Sequence, residues 1–342
     1  MFLRRPVHNA PDSPTCALVD ATPWHLQTWT RSKTSANGGT MVVMTAPTDD
    51  LLRSHHVFVK SDSPFQRTVR LRQAMWREKQ GYPVGLHHGV TLGTRLQMPA
   101  AKDHLWNYLT DGIREVVRSE VLGARRGDGK LFGEPRIFDD LLSSQPLCFN
   151  LFGELKRDLA LASRAMHRLL PDRIKNVQRI EFEHSPGRRD QRYTADRSAF
   201  DVYVEYEGTG GKKGFLGIEV KYHEDMNDAL APHRERYDQV AVGMGSFHAS
   251  RLADLRLKPI NQLWRDHMLA GSMILADGWK AGMFVVLYPS ENAHAATAIA
   301  NYEACLADTS TFGAWTLESF VSALEAEGPG GWVAELRDRY LG

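Results

Sequence analysis

Ala199–Tyr222 reads AFDVYVEYEGTGGKKGFLGIEVKY. Two alternating runs, Ala199–Tyr206 and Gly214–Tyr222, flank the glycine-rich connection EGTGGKK. Alternation of apolar and polar residues marks a half-covered strand, and a glycine-rich link between two such runs predicts a hairpin. Side chains alternate across a strand, so parity assigns faces. Phe200, Val202, Val204 and Tyr206 share one face of the first run, and Asp201, Tyr203 and Glu205 the other. In the second run Leu216, Ile218, Val220 and Tyr222 oppose Gly217, Glu219 and Lys221. Pairing the runs brings both polar rows to one side. Asp201, Glu219 and Lys221 then converge, with Gly217 removing bulk beside them.

Upstream, Gln178–His184 (QRIEFEH) is a further strand, preceded by Leu151, Leu155, Leu159, Ala162, Met166 and Leu169 at helical spacing up to Pro171. Downstream, one or two helices lie between Asp228 and Met244, and INQLWRDHMLAGSMILA forms another over Ile260–Ala276. The buried run MFVVLY, Met283–Tyr288, is one more strand. The order helix, three strands, helices, strand predicts an α/β fold with a mixed sheet flanked by helices.

Two carboxylates and an ammonium group on rigid strands suit phosphodiester hydrolysis with a divalent metal. The carboxylates are hard oxygen ligands for Mg²⁺, which keeps several waters and contacts phosphate oxygens. The metal acidifies a bound water and offsets charge in the transition state, while a lysine two residues from a ligand reaches the phosphate.

Asp201, seventeen intervening residues and then Glu219-Val220-Lys221 resemble the signature of the PD-(D/E)XK, or restriction-endonuclease-like, nuclease superfamily. The resemblance implies an αβββαβ core with a central mixed sheet, spanning residues 149–289. It also implies Asp201, Glu219 and the Val220 carbonyl as metal ligands, Lys221 as the catalytic lysine, and Mg²⁺ as cofactor with Mn²⁺ as a substitute. Many members add a glutamate from the first core helix, which points to Glu154 as a further ligand and catalytic residue. The signature's proline is absent, because Phe200 precedes Asp201.

Outside the core, residues 1–50 read as an irregular, disordered leader rich in proline, serine and glycine, with Met41 and Met44 as alternative starts. Residues 51–148 form a basic, mainly helical region, with helices over Pro64–Gln80 and Ala101–Val121 and a connection over Gly123–Pro135. Residues 290–342 form an acidic helical region. The whole chain carries 42 Lys+Arg against 41 Asp+Glu, yet residues 51–100 hold eight basic and two acidic side chains. That asymmetry permits an anionic partner without a basic pI. Arg70 and Arg77 on the first of these helices are candidate backbone contacts. So are Arg188, Arg189, Arg192 and Arg197 in the loop SPGRRDQRYTADRS, with Tyr193 read as packing. Gln262 and Arg265 occupy a polar stripe that nucleases of this kind direct toward the cleft; Asp266 shares it. Glu181 and Glu183 read as ion-paired, and GTGGKKG as a turn lacking phosphate-loop spacing.

Three scattered cysteines and no apolar run near the ~20 residues of a membrane helix point to a reducing compartment, the cytoplasm. The expectation is a Mg²⁺-dependent DNA nuclease, with RNA left open as substrate, no membrane partner, and a homodimer favoured if both strands are cut. The rivals are a non-catalytic nucleic-acid-binding protein of the same fold and a protein-interaction component without nucleic-acid affinity.

Overall fold

The computed structural model describes residues 30–34, 40–44, 46–123, 129–227, 229–328 and 330–342. Most of the stretch read as an irregular leader, Cys16 and the middle of the Gly123–Pro135 connection lie outside the described residues. Within that leader, Thr30–Thr34 (β1) and Thr40–Met44 (β2) pair as an antiparallel hairpin in a unit of its own, Met1–Thr45.

Ala46–Gly342 make the second unit. It opens with Asp49–Ser54 (α1), capped by Thr48, and Pro64–Lys79 (α2). Ser63 and Gln66 close a capping box on α2, and Pro64 stands where its missing N–H costs nothing. A hairpin of Val84–His87 (β3) and Val90–Leu96 (β4) follows. The helix expected over Ala101–Val121 is divided into Ala100–His104 (α3) and Asp111–Val117 (α4), the latter running into a π-turn over Arg118–Leu122. Leu105 in the left-handed region ends the first piece and the Thr110 hydroxyl caps the second. After the short Arg136–Asp139 (α5) come Ser144–Arg157 (α6) and Leu159–Leu169 (α7). These were expected as one helix. Asp158 separates them, its Oδ1 accepting from the Leu161 N–H as the cap of α7.

The sheet holds Ile174–His184 (β5), Phe200–Gly208 (β6), Lys213–Val220 (β7), Ala281–Tyr288 (β8) and Phe312–Thr316 (β9), in that spatial order. β5, β6 and β7 are antiparallel neighbours, while β7, β8 and β9 run parallel. Glu235–Met244 (α8) and Asn261–Asp277 (α9) make the crossover from β7 to β8, and Ala293–Glu303 (α10) that from β8 to β9. Leu317–Glu325 (α11) and Gly331–Tyr340 (α12) complete the chain. The C-terminal stretch expected to be helical therefore also supplies an edge strand. A mixed sheet flanked by helices is the predicted fold class.

Both faces of the sheet are covered. Val202, Val204, Tyr206, Leu216, Ile218 and Val220 pack under α6, α7 and α11. Tyr203, Phe215, Phe284 and Val286 pack under α8, α9 and α10. The row read as polar is thus the floor of a second core, with Asp201, Glu219 and Lys221 at one end and Glu205, paired with Arg179, at the other.

The basic α2 faces inward more than expected. Arg72 donates to the Tyr340 carbonyl at 2.9 Å and Lys79 pairs with Asp338 at 2.8 Å, so part of the acidic C-terminal stretch is what this helix meets. Gln73 donates to the Arg339 carbonyl, and the fully buried Arg339 guanidinium returns bonds to Gln73 Oε1 and to both oxygens of Asn107. Its central carbon lies 3.9 Å from the centre of the Trp76 ring.

Candidate active site

Register builds the centre of the site. Val202 pairs with Ile218 and Tyr203 with Gly217, so continuing one step sets Asp201 directly across from Glu219. Directly opposed Cβ atoms of an antiparallel pair lie about 4.5–5.5 Å apart. Asp201 Oδ2 accepts from the Val220 N–H at 2.8 Å, which fixes its carboxylate against the Glu219–Val220 peptide. Lys221 follows the last residue of β7, and its own N–H is held by the Leu287 carbonyl at 2.8 Å.

The Lys221 ammonium lies 2.9 Å from Glu219 Oε1 and donates to Gln262 Oε1 at 2.9 Å. Gln262 closes the triangle by donating from Nε2 to the same Glu219 oxygen at 2.7 Å. Glu219 and Lys221 are 7% and 5% exposed, so these bonds form in a site with little water. Burial, then the facing Glu219, pushes the Asp201 carboxyl well above its ordinary value; the Val220 N–H and Lys221 oppose the shift. Burial alone would lower the Lys221 ammonium, but Glu219, Glu224 and Asp201 outweigh it and the net shift is upward. Lys221 is therefore a firmly protonated lysine among carboxylates.

The segment after Lys221 is held from two sides. Gln66 of α2 donates to the His223 carbonyl, Gln73 of α2 donates to the Tyr222 hydroxyl, and Asn292 donates to the Tyr222 and Glu224 carbonyls. The N-terminal helix thus serves the site by fixing the backbone beyond the lysine. No residue pattern announced this, because the partners lie about 150 positions apart. A cavity of about 210 Å³ opens beside Gln262 and Arg265, with Met226, Lys258 and Asn261 on its wall.

Several predicted residues are placed elsewhere. The Glu154 carboxylate is engaged by the Thr110 hydroxyl and by Arg157 Nη1. The α6 residue that feels Asp201 and Glu219 is the buried Cys148. Glu154 lies six residues on, about 240° round a helix of 3.6 residues per turn. Arg77 is buried, donating to the Gly93 and Tyr82 carbonyls and to Glu78. Arg70 holds Asp62. Arg188 binds Glu183, the Arg197 carbonyl and the Gly129 carbonyl, which makes it a pin of its loop. Arg265 joins Asp196 and Ser198 in a buried network with Thr194 and Tyr237. Arg189, Arg192 and Arg197 are exposed, Arg192 paired with Asp190. Tyr193 is packed, its hydroxyl on Asp277. Glu181 pairs with Arg179 and His184, and the His184 bond is the main cause that lowers its carboxyl to about 2.

Gly217 serves a different neighbour from the one expected. Phe200 leaves the face of Val202 and packs in the α8–α10 core, its ring in the space a Gly217 side chain would fill. A Cβ at 217 would stand 2.4 Å from that ring. Gly217→Ala is expected to destabilise the fold by about 1–3 kcal/mol through overpacking, measured by urea unfolding.

Paired carboxylates beside a protonated lysine are the donor chemistry of a hard-cation site. Mg²⁺ needs only one or two carboxylates and keeps its waters, so a pair suits it better than a closed cage. Among the described residues no group of three or more Asp, Glu, His or Cys forms such a cage. No helix among them is long and apolar enough to cross a membrane.

No curated protein and no solved structure matches the chain. The family model of the PD-(D/E)XK nuclease superfamily matches residues 60–342. The match extends well beyond the 149–289 core that the motifs had delimited, taking in α2 and the helices after β9. With Asp201 opposed to Glu219 and Lys221 beside them, the protein belongs to the PD-(D/E)XK nuclease superfamily.

Proposed function

We propose that the protein is a Mg²⁺-dependent deoxyribonuclease that hydrolyses phosphodiester bonds at Asp201, Glu219 and Lys221, acting in the cytoplasm. One observation carries the reading: two carboxylates opposed across a strand pair, with a buried ammonium tied to one of them. Asp201, Glu219 and the Val220 carbonyl would hold the cation. When bound, the cation supplies Lewis acidity and lowers the pKa of a water. Lys221 donates to the phosphoryl oxygen on which negative charge grows, a role that its permanent charge suits. Gln262 holds Lys221 and Glu219 at fixed spacing. Arg189, Arg192 and Arg197 lie on the exposed loop between β5 and β6 and would grip the backbone, which makes binding salt-sensitive.

The test is cleavage of supercoiled, linear and single-stranded DNA and of RNA by the wild-type chain with Mg²⁺. Nicking that EDTA abolishes and Mn²⁺ restores is the expected result. DNA binding that is equal with and without Mg²⁺ and produces no cleavage would indicate a non-catalytic binder. No gel shift at low salt would indicate an interaction protein. Breaks in both strands at one position would call for two copies of the chain, and sedimentation on DNA would show them.

A further inference from the structure

Asp266 lies on α9 one turn beyond Gln262, and side chains four apart on a helix are neighbours at about 5–6 Å between Cβ atoms. Gln262 touches both Glu219 and Lys221, so Asp266 lies on the face of α9 that meets this pair. It is 5% exposed, and its Oδ2 is buried with no hydrogen-bond partner among the described residues. Arg265 does not satisfy it, because its Nη2 is on Asp196 and Ser198. Burial and then Glu219 push the Asp266 carboxyl well up. A buried carboxyl oxygen without a hydrogen-bond partner is a standing cost to the fold. Asparagine would fill the same space but could not ionise.

Lys221 carries three ammonium protons, and two go to Glu219 and Gln262. Glu219 cannot keep the ammonium on the oxygen it must offer to a cation. We propose that Asp266 is a positioning residue for Lys221: as Glu219 turns to the divalent cation, Asp266 becomes the ammonium's carboxylate partner. Gln262, bonded to the ammonium already, is the pivot. Lys221 then stays beside the phosphate, and the cation does not compete with it for Glu219. The proposal rests on the metal-dependent reading of the site.

The test compares wild type and Asp266→Asn as full chains by thermal melting without metal, calorimetric titration with Mn²⁺, and plasmid-nicking kinetics. The expected result is a melting temperature close to that of wild type, because asparagine fills the same space and the carboxyl it replaces is already held toward its neutral form. Mn²⁺ affinity and kcat each fall about ten- to a hundredfold, the usual effect of removing an outer partner, with KM for DNA unchanged. A lowered melting temperature with unchanged Mn²⁺ affinity makes Asp266 structural and overturns the proposal. Unchanged affinity and kcat overturn it whatever the melting temperature. A wild-type chain that binds Mn²⁺ but leaves DNA uncut overturns the nuclease reading alone, and the affinity comparison still decides the role of Asp266. A wild-type chain that binds no Mn²⁺ overturns both.

Discussion

If the proposed function holds, Glu219→Ala, Asp201→Ala and Lys221→Ala are each expected to lower Mg²⁺-dependent nicking by about 10³-fold or more, with circular dichroism expected to show the fold intact. The three variants fail for different reasons. Alanine at 201 or 219 removes one of the opposed carboxylates, so calorimetry should show lost cation binding as well as lost cleavage. Alanine at 221 leaves both carboxylates in place and removes the charge beside Glu219, so cation binding is expected to persist or tighten while cleavage disappears. Tightening is the sharper expectation. The ammonium sits 2.9 Å from the Glu219 oxygen that a cation would claim, and its removal ends that competition. Full activity in all three variants would end the assignment of roles, and lost cation binding in Lys221→Ala alone would give the lysine a structural part instead.

The largest expected loss of stability lies far from the site, at Arg339. Its guanidinium is fully buried and pairs with no carboxylate among the described residues; it is held by Gln73 Oε1, the Asn107 carbonyl and Asn107 Oδ1, and by the face of Trp76. Burial lowers its pKa, with the nearby tyrosines opposing. Arg339→Ala leaves three buried acceptors without a donor and opens a cavity between α2 and α12. The expected cost is about 3–5 kcal/mol, read as a lower urea midpoint at unchanged slope. Arg339→Lys is expected to recover little, because one ammonium cannot reproduce a planar fork of donors. A variant that unfolds at the wild-type midpoint would show that the α2–α12 contact contributes nothing.

The centre of the site was legible because it depends only on strand parity and a spacing of two. Asp201, Glu219 and Lys221 face one another for the reason their alternation implied, and the α9 stripe led to Gln262. What escaped the sequence was partnership. Charge says that an arginine needs an anion or a carbonyl but not where, so Arg77, Arg70 and Arg188 looked free for phosphate when the fold already held them. Rotation along α6 was not legible either: Glu154 is engaged by Thr110 and Arg157, and Cys148 is the α6 residue that feels Asp201 and Glu219. Asp266 was visible as a polar residue on the right stripe, and the signal it carried was the four-residue step from Gln262. The edge strand β9, five residues long, was too short to show a period.

The ring of Phe200 lodged where Gly217 has no side chain joins two positions seventeen apart in the chain. Neither can change freely while the other stays. A descendant that exchanges the ring for a small side chain gains a vacancy under α9 and with it licence to carry a methyl at 217, whereas one that keeps the ring must keep the glycine. The residue in front of Asp201 and the middle of the third core strand are therefore expected to evolve as a pair, each recording the other's history.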